Sequence, residues 1–562
     1  MPTHADNPEP APRQAPLGVS IVAGEPVTPD PGSETFAAIN PRTGDALPTR
    51  FYAASIGNLN DAANAAWRAF HAARDHSPED RATMLELIAR RISGMAGAII
   101  PRCMEETGLP EDRLAAELGR TTSTLELFAR VIRNDTWKRI AIDLPEPRRK
   151  PTPRPGLRRV LVPLGPVAVF GSSNFPLAYS TAGTDAASAL AAGCPVIVKG
   201  HPLHPGTGEL VAQAVCGAVR DAGFPVGWFS FLHAGGAREH AVGAELVRHP
   251  CVRAAGFTGS FEGGAALAHV AAARPDPIPF FAEMGSTNPV FILPGSVETE
   301  PAGIAQHLAR SISIFAGQQC TCPGLIFLVQ GRATETCIER LGRELAEAPA
   351  TPMLAARIRK RYLSLVERAI DTPGVRTVQG DNAAIRSAVA RPVDSQPAFE
   401  KPFLMRTTED VFLEQETLHD EIFGPAAIVV ECKDAEGMLR CAGLVQGSLT
   451  GSIFLSNTDL DLARALTGIL ALRVGRVVFN GVPTGLEVGY ATVHGGPYPA
   501  TNRPDTTAVG PFALERWCRP VAFQNAPAAL LPPELRDANE PGTHRIVQGS
   551  LTQESITPRK HS

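Results

Sequence analysis

The feature that most constrains the fold is a regular alternation of short apolar runs and helical patterns over residues 167–264. The apolar runs are "VAVFG", "CPVIVKG" and "GWFSFLH", and "TDAASALAAG" and "GTGELVAQAVCGAVRDAG" lie between them. This alternation predicts parallel strands joined by crossover helices, and therefore an α/β fold. Ligands of such sheets bind beyond the carboxyl ends of the strands, which here hold Gly171–Phe175, Lys199–Pro202 and Thr258–Gly264.

The flanking parts of the chain follow other patterns. Roughly the first 140 residues have helical spacing, and Ser77, Pro78 and Glu79 form a helix start signal. A second α/β region begins near residue 288 and runs through "GLIFLVQG", "AAIVVECKD" and "GSIFLSN" to "GRVVFNG". Residues 1–18 predict a disordered arm, and the tail from about 530 is expected to drape on the surface or be disordered.

Composition bounds the class of protein. The 562 residues predict two to four domains, and 44% apolar residues are ordinary for a globular protein. A net charge of −4 offers no basic surface for nucleic acid or an anionic membrane. No signal peptide and no run of about 18 apolar residues is found, so we expect a cytoplasmic protein without membrane contact. The 10 cysteines are scattered, which favours reduced thiols over a disulfide framework.

Two segments at predicted strand ends could contact a ligand. "GFTGSFEGG" spaces Gly259 and Gly264 around Ser260 at a predicted helix start, where backbone N–H groups can hold phosphate. A glycine turn without a ligand is the commoner case. Lys199 in "VIVKGHPLHP" is either a solvated strand end or a ligand-binding cation. Prolines interrupt the His201–His204 spacing, so we predict no metal site there.

Two further residues are candidates for catalysis. Glu283 in "FAEMGSTNP" has apolar neighbours, which suits either a general base or a paired structural carboxylate. Cys320 follows Gly317 in "FAGQQCTCPG", which predicts a turn rather than a core helix. Cys320 and Cys322 have no second pair at zinc spacing, and a one-residue loop strains a disulfide. An inert thiol and a nucleophile both remain open for Cys320.

Taken in order, these motifs resemble the set found in the aldehyde dehydrogenase superfamily. The resemblance covers about residue 20 to about 525 and rests on "SSNFP", "VKGHP", "FTGS", "EMGSTNP", "GQQC" and "EIFGP". It implies that Cys320 attacks the aldehyde to give a thiohemiacetal and then a thioester. It also implies that Asn174 and the Cys320 N–H hold the oxyanion, and that Glu283 activates water to release the acid.

The resemblance implies a cofactor site as well. Its residues are Lys199, His201, Gly259, Ser260, Gly264, Glu421 and Phe423. Lys199 and Glu421 would bind the riboses, Ser260 the pyrophosphate, and Phe423 would lie near the nicotinamide. Many NAD-preferring members carry a glutamate where this chain has Pro202. Loss of that carboxylate removes repulsion of a 2′-phosphate, and Lys199 with His201 could favour it, so we expect NADP, with NAD tolerated.

The fold implied is α/β and aldehyde dehydrogenase-like, with a Rossmann-type cofactor domain, an α/β catalytic domain and a small oligomerisation arm. The predicted limits are 19–146 and 168–284 for the cofactor domain, 285–485 for the catalytic domain, 147–167 and 497–525 for the arm, and 530–562 for the tail. The arm would make a homodimer or homotetramer. The predicted partner is a small-molecule aldehyde, with no metal.

A closer resemblance narrows the substrate. "SNFPLAYS", "VKGHPLHPGT" and "FNGVPTGLEVGYATVHGGPYPATN" are similar to family members that oxidise 2,5-dioxopentanoate to 2-oxoglutarate. Such a substrate needs a cation for its carboxylate, and Arg158, Arg159 and Arg473 are candidates. The alternatives are another aldehyde such as succinate or glutarate semialdehyde, a broad-specificity or CoA-acylating enzyme, and a homologue without catalysis. Retention of Cys320, Glu283 and Asn174 counts against the last of these.

Overall fold

A computed structural model describes residues 15–30, 32–74, 76–391, 397–540 and 542–557. The prediction of disorder for residues 1–14 therefore lies outside the described residues. Leu17 and Gly18 are described, and their N–H groups donate to the buried Glu209 carboxylate. The end of the predicted arm is thus attached to the protein at this point.

The N-terminal part is mainly helical, as its apolar spacing predicts. The strands are β1 (Ile21–Val22), β2 (Glu25–Pro26), β3 (Thr35–Ile39) and β4 (Ala46–Tyr52), and the helices are α1 (Ile56–Ala72), α2 (Pro78–Gly94), α3 (Ala96–Thr107) and α4 (Glu111–Arg133). Ser77 caps α2 by accepting from the Asp80 N–H at 3.1 Å, and the Asp80 carboxylate accepts from the Ser77 N–H at 2.7 Å. This reciprocal cap satisfies two donors that the helix start leaves free.

The alternating segment forms a parallel sheet. β5 (Ala141–Asp143) and β6 (Leu157–Pro163) come first in the chain and pair with each other outside this sheet. The alternating elements are β7 (Val167–Phe170), α5 (Thr184–Ala192), β8 (Val196–Lys199), α6 (Pro205–Asp221), β9 (Phe229–Leu232), α7 (Glu239–Arg248), β10 (Ala254–Thr258), α8 (Phe261–Ala272) and β11 (Phe280–Glu283). Within the described residues the strand order is β11-β10-β7-β8-β9-β1-β2. Phe170 pairs with Lys199, and Thr258 pairs with Glu283. The carboxyl ends of four neighbouring strands therefore meet at one edge.

A second sheet follows with the same construction. The elements of this region are β12 (Val290–Ile292), α9 (Pro294–Thr299), α10 (Pro301–Ser313), β13 (Leu325–Val329), α11 (Arg332–Glu347), β14 (Thr351–Pro352), α12 (Ala356–Ile370), β15 (Arg376–Gln379), α13 (Asn382–Val389), β16 (Phe399–Glu400), β17 (Phe403–Thr408), α14 (Glu409–Glu414), β18 (Ala426–Cys432), α15 (Ala435–Leu444), β19 (Ser448–Phe454), α16 (Leu460–Leu470) and β20 (Val474–Phe479). β14 and β16 pair with each other outside the sheet. The order β15-β17-β18-β13-β12-β19-β20 is parallel except for β15. Both sheets are covered by helices, which explains their nearly continuous apolar strands.

The C-terminal part differs from its prediction in two places. β21 (Cys518–Gln524) pairs antiparallel with β6, as expected for the two segments of the arm. Thr501, at the start of the predicted C-terminal segment of the arm, instead bridges Glu283 and lies beside the first sheet. The described part of the tail is ordered: β22 (Arg545–Val547) and β23 (Ser550–Thr552) complete the sheet β21-β6-β5-β22-β23. The tail lacks apolar periodicity because its strands are short and extend an edge, while Leu531 and Leu535 pack as single residues against Ile140 and Val160.

Candidate active site

Cys320 lies in a tightly constrained turn after α10. Phe315, Ala316 and Gly317 all have left-handed backbone angles, with φ of 51°, 55° and 61°. A Cβ on Gly317 would lie 2.4 Å from the Gly424 carbonyl oxygen, so this position requires glycine. The predicted turn is confirmed, and it ends the helix before the cysteine.

Asn288 stabilises this turn through hydrogen bonds from its side chain. Its fully buried Nδ2 donates to the carbonyl oxygens of Cys320 and Cys322, at 2.9 Å each. Asn288 itself has φ of 45°, a left-handed conformation that asparagine tolerates better than most residues. The segment "EMGSTNP" therefore supplies a support for the cysteine turn as well as Glu283.

The two neighbouring cysteines differ in their surroundings. Cys320 lines the main cavity of the protein, whereas the thiol of Cys322 faces the Ser311 carbonyl. Burial, together with the nearby Glu421 charge, raises the pKa of Cys322 well above its ordinary range. Cys322 is therefore a neutral thiol at physiological pH. All ten cysteines are free thiols.

Two N–H donors lie beside Cys320. Asn174 follows β7 and its Nδ2 donates to the Gln318 carbonyl at 3.1 Å, which places the amide two residues from the cysteine. The backbone N–H of Cys320 makes no hydrogen bond to another described residue. An amide side chain and a free backbone N–H can together receive a developing oxyanion.

Glu283 ends β11 and is buried, with only 4% of its side chain exposed. Its Oε1 lies 3.0 Å from His494 Nε2, and its Oε2 is buried without a partner among the described residues. His494 Nε2 also lies 3.7 Å from Cys320 Sγ. The ligand atoms of these three side chains lie within 4.8 Å of one another, a donor set that a metal ion could also use. His494 was not among the predicted site residues, although "VHGGPYP" was singled out.

The main cavity has a volume of about 1110 Å³ and opens along the carboxyl edge of the first sheet. Of the predicted site residues, it is lined by Asn174, Lys199, His201, Gly259, Ser260, Glu283, Cys320, Glu421 and Phe423. Gly264 is absent from this lining. A Cβ there would lie 2.7 Å from Met284 Sδ, so the glycine allows α8 to pack closely on the residue after Glu283.

Charge is distributed unevenly in the cavity. Burial lowers the pKa of Lys199 to about 8, and the nearby Glu239 charge opposes this shift. Burial and its cationic neighbours lower the pKa of His201, so its ring is neutral at pH 7. The expectation that His201 helps Lys199 to favour a 2′-phosphate is therefore wrong, since a neutral ring supplies no positive charge. A second cation comes from Arg357 on α12, which lines the same cavity and pairs with Glu239 at 3.1 Å.

Glu421 lies at the far side of the cavity, behind Gly285. Burial raises its pKa to about 7, while the Ser286 backbone N–H and the Arg361 charge act in the opposite direction. The carboxyl group therefore changes its charge close to neutral pH. Phe423, two residues further on, presents its ring to the same cavity.

The three arginines predicted to hold a substrate carboxylate lie elsewhere. Arg158 pairs with Asp537 at 2.6 Å in the arm, Arg159 is exposed on β6, and Arg473 donates to the Gly443 carbonyl at 2.6 Å. None of them lines the cavity around Cys320. The prediction was wrong because β6 pairs with β21 at the arm, and because Arg473 precedes the strand that approaches the site.

The fold and site together define a class of protein. Residues 28–497 match the aldehyde dehydrogenase family. The chain belongs to this family. No helix among the described residues is long and apolar enough to cross a bilayer.

Two relatives of higher identity have a more specific activity in their names. The chain is 40% identical over 534 residues to alpha-ketoglutaric semialdehyde dehydrogenase 2 of Azospirillum brasilense, covering 95% of this chain and 98% of that protein. It is 41% identical over 504 residues to alpha-ketoglutaric semialdehyde dehydrogenase of Acinetobacter baylyi, covering 90% and 93%. Betaine aldehyde dehydrogenase from Staphylococcus aureus in complex with NAD⁺ has the same fold, with a TM-score of 0.75 at 20% identity over 91% of this chain and 96% of that one.

Proposed function

We propose that this protein oxidises 2,5-dioxopentanoate (α-ketoglutaric semialdehyde) to 2-oxoglutarate while it reduces a nicotinamide dinucleotide. The observation that carries the proposal is the position of Cys320. Its turn lies at the cavity beside the Asn174 amide and its own free backbone N–H, and the buried Glu283, whose Oε2 has no partner among the described residues, lies within reach. The named substrate of the relatives at 40% and 41% identity supports this particular aldehyde.

The residues of the cavity fit a dinucleotide cofactor. Its volume of about 1110 Å³ suits a large ligand, and the buried Lys199 makes no ion pair with another described residue. Ser260 caps the 12-residue helix α8, and the residues of its first turn line the cavity, so the start of this helix suits a pyrophosphate. When bound, the nicotinamide accepts a hydride from the substrate carbon.

Residues of the chain carry out the remaining steps of the reaction. The Cys320 thiolate attacks the aldehyde carbon, and Asn174 with the Cys320 N–H stabilises the oxyanion of the thiohemiacetal. Loss of hydride leaves a thioester on Cys320. Glu283 Oε2 then takes a proton from water as the water oxygen attacks the thioester carbon, and the acid leaves with release of the thiolate. A CoA-acylating reaction has no use for this buried base.

We further propose that NADP is preferred. Lys199 and Arg357 supply two cations to the cavity, and Pro202 stands where a carboxylate would repel a 2′-phosphate. Glu239 opposes this preference in part because it pairs with Arg357. Replacing Pro202 with Glu should move the NAD/NADP ratio of kcat/KM toward NAD. An unchanged ratio would remove Pro202 as a determinant.

A homodimer or homotetramer is also proposed, with the sheet containing β6 and β21 as the contact. Both edge strands of this sheet, β21 and β23, are free along their outer side within the described residues. Exposed apolar side chains on β22 and β23, Ile546 and Leu551, would be covered in such an assembly. Light scattering of the purified protein gives the mass directly, and a monomer would exclude this contact.

The function is tested by initial rates with 2,5-dioxopentanoate, succinate semialdehyde and a simple alkanal, each with NADP and with NAD. We expect kcat/KM to be at least about tenfold higher for the dioxo acid, since a paired carboxylate contributes roughly 1.5–3 kcal/mol. Equal values across the aldehydes would reject the proposed substrate. Cys320→Ala should abolish turnover, whereas Cys322→Ala, two residues away, should retain it.

A further inference from the structure

His494 touches both groups on which the proposed reaction depends, and the steps above give it no role. One nitrogen, Nε2, lies 3.0 Å from Glu283 Oε1 and 3.7 Å from Cys320 Sγ. At 3.0 Å an imidazole lone pair and a carboxylate lone pair would repel each other, so a proton must lie between these atoms. Glu283 and Cys320 therefore share one N–H donor.

The charges around His494 favour the protonated ring. Burial alone would lower the pKa of His494, but the charges of Glu283 and Cys320 and the hydrogen bonds to both raise it to about 10. The ring is thus an imidazolium ion between two acidic groups at neutral pH. A cation beside a cysteine favours its thiolate form.

The main chain holds this ring in place independently of the two acidic groups. The His494 N–H donates to Thr507 Oγ1 at 2.9 Å, and its carbonyl accepts from the Ala508 N–H at 2.7 Å. The ring packs against Tyr179, with centroids 5.9 Å apart. The loop that contains His494 therefore fixes the position of its side chain.

We propose that His494 is a catalytic residue that stabilises the Cys320 thiolate both as nucleophile and as leaving group. The inference rests on the proposed function for the identity of the substrate. The contact of His494 with Cys320 and Glu283 is independent of that substrate. Before attack, the Nε2–H interacts with the sulfur anion. As the sulfur electron pair forms the S–C bond, this interaction weakens and the proton stays with the Glu283 side. When the thioester is hydrolysed, the S–C electrons return to sulfur and the Nε2–H again stabilises the anion.

The test is the rate of Cys320 alkylation by iodoacetamide as a function of pH, with no aldehyde or cofactor present. Cys320→Ala supplies the background from the other thiols. In His494→Asn, which keeps a donor but carries no charge, the rate at pH 7 should fall about tenfold or more. The pH of half-maximal reactivity should rise. The exposed His269→Asn should match the wild type.

Four further results complete the test. The steady-state kcat of His494→Asn should fall while KM for the aldehyde changes little. An alkylation profile identical to that of the wild type would overturn the proposal. Activity that disappears with a chelator and returns with zinc would also overturn it, because the three side chains would then be metal ligands. Failure of the substrate panel alone would reject the proposed function and leave the alkylation result standing.

A second inference rests on different contacts, around Tyr179. Arg120 Nη2 donates to the Tyr179 hydroxyl at 2.9 Å. Arg476 on β20 donates to the Pro483 and Gly485 carbonyls at 2.6 and 2.8 Å. Neither guanidinium forms an ion pair within the part of the chain that the structure describes.

Arg476 also lies close to the nucleophile. Burial lowers the pKa of Arg476, while the charges of Cys320 and Tyr179 act in the opposite direction. Neither arginine nor Tyr179 lines the main cavity. They lie near Cys320 but outside that lining, so a substrate that they hold would approach the sulfur apart from a bound cofactor.

We infer that Arg476 and Arg120 bind the distal carboxylate of the substrate. This inference deepens the proposed function and rests on it. Arg476 also donates to Thr450 Oγ1 at 3.3 Å, which leaves its Nε–H without a partner among the described residues. A half-buried guanidinium held by neutral groups keeps its charge, and a free N–H on it suits a carboxylate. The two arginines would place the carboxylate at the tunnel end and leave the aldehyde at Cys320.

The test compares kcat/KM for 2,5-dioxopentanoate and for an uncharged alkanal in Arg476→Met and Arg120→Met. We expect the first value to fall about tenfold or more and the second to stay within a factor of about two. The exposed Arg473→Met is the matched control. An equal loss for both aldehydes, or no loss, would reject the carboxylate site. A wild type that prefers the alkanal would instead reject the proposed substrate.

Discussion

The two sides of Cys320 are built in different ways. The cavity side is lined from neighbouring strand ends: Asn174 after β7, Lys199 at the end of β8 and Ser260 after β10. The opposite side is assembled from a loop, a helix, a strand and a second loop that contribute Tyr179, Arg120, Arg476 and His494. A parallel sheet brings its carboxyl ends together by construction, whereas the opposite side depends on long-range packing.

This contrast teaches where variation between relatives is expected. A site at strand ends moves little when a side chain changes, because the sheet positions it. The opposite side combines loops with single charged residues, which can be replaced without disturbing a sheet. We expect the shared chemistry to depend on the first side and the choice of aldehyde on the second.

The largest expected effect belongs to Glu283, where the two sides meet. Glu283→Gln should lower the steady-state rate by about 10²-fold or more, since the amide cannot take a proton from water. Rapid mixing should still show a burst of about one reduced cofactor per site. Glu298→Gln, on the exposed end of α9, is the control. Loss of the burst would mean that Glu283 acts before the thioester forms, which would contradict its assignment as the base of the hydrolysis step.

The next effect tests the cavity side alone. Arg357→Ala should raise KM for NADP about tenfold and change KM for NAD much less, because a guanidinium–phosphate contact is lost. Arg359→Ala, on the same helix but away from the cavity lining, serves as the control. An equal effect on both cofactors would show that Arg357 supports the shape of the cavity and does not contact the 2′-phosphate.

A smaller effect should depend on pH. The pKa of Glu421 is raised to about 7 by burial, so its carboxylate gains a proton as the pH falls through this value. The protonated group is a poorer acceptor for ribose hydroxyl groups, and KM for the cofactor should therefore rise below about pH 7. Glu421→Gln should make KM high and nearly independent of pH from 6 to 8. A wild-type KM that is flat over this range would contradict the assignment.

The smallest effect on catalysis is expected in the tail. Arg545 is fully buried and donates to the carbonyls of Asp537 and Glu554 at 2.8 and 3.1 Å. Arg545→Met leaves these groups unpaired and should destabilise the sheet by about 2 kcal/mol, seen as a lower Tm. The kcat/KM should not change, because the tail lies on neither side of Cys320. A large loss of activity at full folding would mean that the tail reaches the site.

Much of the fold was predictable from local pattern. Alternating apolar runs identified the strands and crossover helices of both sheets, since buried parallel strands are apolar throughout. The turn at Cys320 was predicted from Gly317, which the left-handed backbone requires. The tail strands and the place of residue Thr501 were missed, because pairing partners far away in the chain determine them.

The candidate site shows the same difference between features that local sequence predicts and features that distant contacts determine. Nine of the ten predicted site residues line one cavity, and Gly264 packs on Met284 instead. Their roles remain proposals. His494 carried no signal of its own, since a single histidine in a glycine-rich loop looks like many others. The neutral ring of His201 was also missed, because burial and nearby cations lower its pKa and neither is visible in sequence.

The sequence by itself determined the α/β class, the order of motifs and the family, because each depends on periodicity or on residues close in the chain. Tertiary structure alone decided which groups surround Cys320. Glu283 and His494 are 211 residues apart and lie 3.0 Å from each other, while the three predicted arginines lie away from the site. Charge acts over a few ångströms in space, so proton sharing and carboxylate recognition depend on packing that no local pattern contains.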